Sequence, residues 1–424
     1  MRTSNAASLS RLLRRQNNNR WLFHGAPSRL RCVVGPAGPG SYAQDMAAHS
    51  IADEVTQPYR PFCVGPWAFQ GFCKLKIAQV APLAESVPPR LYGGTERIVS
   101  YLTEELVAMG HEVTLFATGD SRTSAELVAS WPRALRSDPG LRDTSVPHIL
   151  MLEEVYRRGG EFDVIHCHLD YCHFSLLRRQ STPFLTTLHG RLDSPEVVAL
   201  LGAFPDAPLV SISNNQRGFV PHANFVSTVY HGLPVNLLQP QSVKPSYLAF
   251  LGRISPEKGP EQAIRIARQT GIPLKIAAKV DQGDQDYFSK IIQPMIDGRT
   301  VVMQGEISEA QKAEFLSGAV ALIMPIDWPE PFGVVMIEAM ACGTPVVAFN
   351  RGSVPEIVDH GVTGFVVENE TEAAATISNV HTMSREMVRS HFQRRFTARR
   401  MALDYLDVYR HLAVRSPPKL RVVP

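Results

Sequence analysis

The stretch PEPFGVVMIEAMACGTPVVAF occupies residues 329–349. The apolar run VALIMPI precedes it and PVVAF closes it. Between them, FGVVMIEAMA is too long and too uniformly apolar to be a turn. The order reads as strand, buried helix, strand, the repeating unit of a parallel sheet. Two carboxylates, Glu330 and Glu338, flank the apolar FGVVMI. A buried carboxylate needs a partner, so a ligand or a core cation is expected beside this helix. Pro331 fits a first helical turn, where its missing N–H is not needed. A helix beginning there leaves Glu330 in the preceding loop and carries Glu338 about two turns in, roughly 12 Å further along the axis.

The same alternation extends on both sides. Upstream, KIAQVAP, EVTLFAT, DVIHCH, PFLTTLH, PLVSIS and FVSTVYHG are short apolar runs, each followed by a turn or a helical segment. GGTERIVSYLTEELVAMGH places Ile98, Leu102, Leu106 and Met109 at helical spacing and stops at Gly110. The Pro- and Gln-rich segment at 232–245 interrupts the pattern and reads as an interdomain linker. The pattern then restarts with SYLAFLGR, a helix over PEKGPEQAIRIARQTG, and the strands PLKIAAKV, VVMQGEI, VALIMPI, PVVAF and GFVV. After Thr371 the chain reads as helical to about Val414. The expected fold is α/β, with two Rossmann-like halves facing across a cleft and a helical tail. The expected boundaries are 1–75 for a poorly ordered extension, 76–240 for the first half, 241–395 for the second and 396–424 for a terminal helix and tail.

Composition limits the function classes. The chain has 424 residues, 44% hydrophobic and 20% charged, with a net charge of +3. No basic or acidic excess points to nucleic acid, and no apolar run is long enough to span a membrane. The six cysteines form no CxxC pair and read as reduced thiols of an intracellular protein. Residues 1–75 are different: Arg recurs and no acidic residue appears before Asp45. That start reads as disorder, a mis-set start or, with less weight, a transit peptide.

Four groups could carry chemistry. YGGTE follows the first strand, so Gly93 and Gly94 allow close backbone approach to an anion at a helix N-terminus. A tight turn alone would also explain them. LGRISPEKG puts Arg253 and Lys258 on the loop after the first strand of the second half, where two cations suit a diphosphate. Glu330 and Glu338 could grip hydroxyls, with free N–H groups near Gly333 and Val334 between them. DVIHCHLDYCH invites a metal reading, but strand alternation puts His166 and His168 on one face and Cys167 on the other. His168 is instead expected to end its strand pointing into the cleft. Asp170 and His189 are candidates for the acceptor side.

Together these motifs resemble the retaining glycosyltransferases of family 4, with the GT-B fold, over roughly residues 76–415. The most specific element is the E-x7-E from Glu330 to Glu338, supported by GRISPEKG and the early GGTE. The resemblance implies that Glu330 contacts donor-sugar hydroxyls and Glu338 the nucleotide ribose. Arg253 and Lys258 would hold the diphosphate, Gly93 and Gly94 would line its phosphate side, and Phe332, Gly333 and Val334 would complete the donor site. His168 would lie near the reacting carbon. It further implies a nucleotide-sugar donor (UDP-, GDP- or ADP-sugar), a hydroxyl acceptor, no metal or other cofactor, retention at the anomeric carbon, and a terminal helix crossing back onto the first half. The expected location is the cytoplasm, with peripheral contact to the inner face of a membrane through Arg394, Arg395, Arg399 and Arg400 as an alternative. A nucleotide-sugar 2-epimerase and an inactive binding protein are the competing readings.

Overall fold

The computed structural model describes residues 74–91 and 93–415. The expectations for the N-terminal extension lie almost wholly outside the described residues. The first half is a parallel sheet of β1 (Lys76–Val80), β2 (Glu112–Thr118), β3 (Glu126–Trp131), β4 (Val164–Cys167), β5 (Phe184–Thr187), β6 (Leu209–Ser211) and β7 (Phe225–Thr228). Its strand order is β3-β2-β1-β4-β5-β6-β7. The second sheet holds β8 (Tyr247–Ile254), β9 (Leu274–Val280), β10 (Val301–Gly305), β11 (Ala319–Met324), β12 (Val346–Phe349) and β13 (Gly364–Val367). Its order is β10-β9-β8-β11-β12-β13, again parallel.

Every residue of β4, β5 and β12 is buried. Strands covered by helices on both faces read as continuous apolar runs rather than alternations. That explains VVAF; the helix Gly94–Ala108, by contrast, buries one face through Ile98, Leu102 and Leu106. In both sheets the order reverses beside the first strand, between β1 and β4 and between β8 and β11. Ligands of open parallel sheets bind beyond the carboxyl ends of the strands at such a point.

Two local expectations are corrected. The helix after PEPFG runs Val334–Ala341 with Gly333 as its N-cap at φ 76°, so Pro331 lies before it and Glu338 is its fifth residue. A left-handed N-cap is open to glycine and not to proline or phenylalanine, so the start moves past Phe332. Strand β8 continues through Ile254, so Arg253 belongs to the strand rather than to the loop.

Residues 229–246 join the sheets without a regular element, but they are tied down. Leu233 donates its N–H to Phe396 at 2.9 Å and accepts from Ala398 N–H at 2.8 Å. The Arg389 guanidinium donates to Leu238 O at 2.6 Å and to Val235 O at 2.7 Å. The connection is therefore pinned where the helix Arg385–Arg395 passes into the helix Ala398–Arg415. That last helix returns to the first sheet. Its Tyr405 hydroxyl meets Thr187 Oγ1 at 2.8 Å, and its Tyr409 hydroxyl meets His166 Nδ1 at 2.7 Å and accepts from Gln79 Nε2 at 3.0 Å. One core cluster draws on both halves, with Ile77, Leu102, Phe332, Met336, Phe396 and Tyr405 among its members. Among the described residues no helix is long and apolar enough to cross a membrane.

Candidate active site

A cavity of about 260 Å³ opens between the halves at the carboxyl ends of their strands. Leu91, Gly93, Gly94 and Arg97 line it from the first half. From the second half come Gly252 and Arg253 on β8, Lys258, Lys279, Lys312, Glu306, and the Glu330, Gly333, Val334, Val335 and Glu338 set. Charged lining residues comprise Arg97, Arg253, Lys258, Lys279 and Lys312 against Glu306, Glu330 and Glu338. The cavity can thus hold a doubly negative group while carboxylates remain for hydroxyls.

Both glutamates have partners. Glu330, 8% exposed, accepts from Lys258 Nζ at 2.5 Å and from Trp328 Nε1 at 2.7 Å. Lys258 also lies over the Trp328 ring at 4.4 Å. Glu338, 3% exposed, accepts from Lys312 Nζ at 2.6 Å. Lys312 is a core cation of the kind that could explain a buried carboxylate without a ligand. Here, however, both members of the pair form part of the cavity wall. Arg253 donates to Glu257 at 2.6 Å and faces Asp281 at 3.6 Å, which holds its guanidinium at the end of β8.

The backbone around Glu330 is braced by a segment with no obvious motif. Ser353 N–H donates to Glu330 O at 2.9 Å, and Ser353 Oγ donates to Phe332 O at 2.9 Å. Gly352 sits at φ 58°, where an added Cβ would lie 2.3 Å from Glu330 N and 2.4 Å from Glu330 O. On the other side, Gly259 at φ 73° follows the short turn Pro256–Lys258 and packs against Pro325 O, 2.1 Å from where a Cβ would stand. Glycine at these two positions lets the loops bearing Lys258 and Glu330 converge. Glu96 does similar work in the first half. It is buried, burial raises its pKa, and it accepts Glu85 N–H at 3.3 Å, which fixes the loop after β1.

The structure brings Gly93, Gly94, Arg253, Lys258, Glu330, Gly333, Val334 and Glu338 around one cavity. It does not bring His168, His189, Asp170 or Phe332 to that wall. The expectation that His168 points into the cleft is corrected: it is 2% exposed, with Nε2 on Gln79 Oε1 at 2.9 Å and Nδ1 on His189 Nε2 at 2.9 Å. Polar side chains on β1 and after β5 satisfy both ring nitrogens inside the fold. Half-buried His189 stacks on His231 at 5.2 Å, and His231 meets Phe332 at 4.8 Å. Burial pushes His189 down to about 3 and holds His168 and His231 well below the usual imidazole range. This histidine row is neutral at pH 7 and supplies no cation for phosphate. The Phe332 ring joins the core. Asp170 is exposed at the end of β4 with φ 51°. His166 and His168 do share one face, at 4.1 Å, while Cys167 packs in the core.

Sequence reasoning missed Arg97, Lys312, Trp328 and Gly352. Arg97 and Lys312 sit on helices where a cation reads as solvent-facing. Only the packing reveals them: Arg97 faces the other half, and Lys312 faces Glu338 of its own half. The arginine tail is partly committed inside the fold. Arg395 bonds Asp359 at 2.9 Å and Glu356 O at 2.6 Å, and Arg400 bonds Asp404, Tyr230 O and His231 O at 2.6, 2.6 and 3.0 Å. Arg394 and Arg399 remain exposed.

Two family profiles match. Residues 92–224 match Glycosyltransferase Family 4, and residues 239–391 match Glycosyl transferases group 1. An uncharacterized glycosyltransferase of Methanocaldococcus jannaschii is 27% identical over 338 residues, covering 68% of this chain and 85% of that protein. The sucrose-phosphate synthase of Thermosynechococcus elongatus superposes with a TM-score of 0.68 at 20% identity, over 81% of this chain and 100% of that one. The Anabaena protein HepE, solved with UDP and glucose, gives 0.62 at 19% identity over 80% and 100%. At these identities the structural likeness speaks for the fold alone.

Proposed function

This chain belongs to glycosyltransferase family 4 and has the GT-B fold, and on that footing we propose that it transfers a sugar from a nucleotide-sugar donor to an acceptor hydroxyl with retained configuration and without a metal. The observation that carries the reading is the single cavity on which Lys258, Arg253, Glu330 and Glu338 meet at the strand ends of two facing sheets. Carboxylates accept hydrogen bonds from hydroxyls and repel phosphate, whereas the cations do the reverse. The two kinds of group therefore assign themselves to different parts of one ligand. Glu338, beside Lys312, takes the ribose hydroxyls, and Glu330 takes the sugar hydroxyls. Arg253, Lys258 and the N–H groups at Gly333 and Val334 take the diphosphate, with Gly93 and Gly94 closing its other side. The UDP and glucose bound by Anabaena HepE are ligands of this chemical type.

The mechanism follows from what the cavity offers. None of its lining residues pairs a nucleophile with a base in the manner covalent catalysis needs. Lys258 and Arg253 face the position where charge develops as the sugar–phosphate bond breaks, so leaving-group stabilisation is the main catalytic effect. The acceptor oxygen then attacks from the face the diphosphate leaves, and its proton passes to the departing phosphate oxygen. A sugar, a lipid or a small polyol could supply the hydroxyl. A thermal-shift series on the full chain with UDP-, GDP- and ADP-sugars, with and without EDTA, tests the reading. A ligand that binds only the folded state raises Tm by mass action. A rise with one donor that survives EDTA is expected. A rise that disappears with EDTA would overturn the metal-free mechanism, and no rise with any donor would overturn the donor assignment.

A further inference from the structure

Among the described residues, Arg97 is the one basic lining residue of the cavity contributed by the first half. It sits one turn into the helix Gly94–Ala108, and its guanidinium donates backward to Leu91 O at 2.5 Å. It also reaches across the cleft to the carboxylate of Glu309, the first residue of the second-half helix Glu309–Ser317. The same Glu309 oxygen lies 3.4 Å from Lys312 Nζ, and Lys312 bonds Glu338 at 2.6 Å. The side chains of Arg97, Glu309, Lys312 and Glu338 are 12, 26, 13 and 3% exposed. Burial alone would lower the Arg97 pKa, but Glu309, Tyr101 and Glu338 together outweigh it and hold the guanidinium above its ordinary value.

The geometry points to Arg97 as a positioning residue: through Glu309 and Lys312 it couples closure of the two halves to the orientation of Glu338. The inference rests on the donor reading above, in which Glu338 holds the ribose. The Arg97–Glu309 contact exists only while the halves are together. With Arg97 in place, Glu309 is shared between two cations, and Lys312 is left to fix Glu338 against the cavity. When the cleft opens, Glu309 loses Arg97 and turns fully to Lys312. Lys312 is then drawn from Glu338, which is left unclamped. Closing therefore tightens the grip on the nucleotide, and opening loosens it, which suits a transferase that must release its nucleoside diphosphate after each turnover.

The test is a double-mutant cycle on the full chain with Arg97→Gln, Glu309→Gln and the pair. Small-angle scattering without ligand reads closure, and calorimetry with UDP, GDP and ADP reads nucleotide affinity. Each single variant is expected to enlarge the radius of gyration; Arg97→Gln should weaken the nucleoside diphosphate about tenfold, because Glu309 then draws Lys312 from Glu338, whereas Glu309→Gln leaves Lys312 on Glu338 and should weaken it less. The double variant should be no worse than the worse single, because both act through one contact. Unchanged scattering in both singles would overturn the closing contact. Larger particles with wild-type affinity in Arg97→Gln would overturn the coupling, as would additive losses in the double variant. A helix merely destabilised by Arg97→Gln would lower Tm without producing that non-additivity. If wild-type protein binds none of the three nucleotides, the donor reading and the coupling to Glu338 fall together, while the scattering still decides separately whether Arg97 and Glu309 close the cleft.

Discussion

Replacing Lys258 by Ala separates a catalytic role from a structural one. Lys258 Nζ sits 2.5 Å from Glu330 Oε2 and 4.4 Å from the Trp328 ring centre, with side chains 23% and 11% exposed in the ion pair. Removing it leaves the Glu330 carboxylate with the Trp328 N–H, so the carboxylate is not stranded. The stability loss should be about 1–3 kcal/mol, the cost of one missing partner for a mostly buried polar group. For a chain of this size that is a fall in Tm of roughly 1–4 °C. The effect on turnover should be larger. A donor aimed at charge that develops in the transition state is worth about 10²–10³ in kcat. The assay is the initial rate of nucleoside diphosphate release at saturating donor, alongside a circular-dichroism melt. Lys258→Arg should recover part of the rate, since it keeps the charge and changes the shape of the donor group. A Lys258→Ala enzyme with kcat within a few-fold of wild type, and only the melt shifted, would show that the pair braces the loop and nothing more.

Three further outcomes are expected. Gly352→Ala forces a left-handed residue against the Glu330 backbone, so it should cost about 2–4 kcal/mol and raise KM for the donor, read by melting and kinetics together. Tyr409→Phe strips the hydroxyl shared by His166 and Gln79 and should cost about 1–3 kcal/mol without changing KM, checked by urea denaturation. Stability should also fall with acid. His166, His168, His173, His189 and His231 all have pKa values depressed by burial, His173 and His189 to about 3. Below about pH 6.5 the unfolded chain takes up protons that the folded chain refuses, so unfolding becomes easier between about pH 6.5 and 3, by up to roughly 1.4 kcal/mol per pH unit for each histidine. A flat Tm between pH 7 and 5 would contradict the buried, neutral histidine row.

Much of the fold was legible because it depends on burial. VVAF, VALIM and the GGTERIVSYL helix each announce a fully covered strand or an amphipathic face, and the structure places them so. The two glutamates were legible for a related reason: carboxylates beside an apolar run demand an explanation. What sequence reading misplaced depends on contacts across chain distance. His168 looks like a strand-end histidine, and only the neighbourhood of Gln79 and His189 shows it enclosed. Pro331 looks like a helix start, but Gly333 with its positive φ takes that place. Lys312 lies 26 residues from Glu338, and Arg97 lies 212 from Glu309. No local pattern carries such pairs: the first is decided by how two helices of the second half pack, and the second by how the two halves face each other.

The most direct measurement is calorimetric binding of a nucleoside diphosphate and of the matching nucleotide sugar to wild type, Glu338→Ala and Glu330→Ala. If the two carboxylates hold opposite ends of one ligand, Glu338→Ala weakens both ligands alike. Glu330→Ala then removes only the extra affinity contributed by the sugar and leaves the nucleoside diphosphate bound as tightly as before, or more tightly now that Lys258 is unpaired from Glu330. Equal losses for both ligands in both variants, or no loss in Glu338→Ala, would contradict the account.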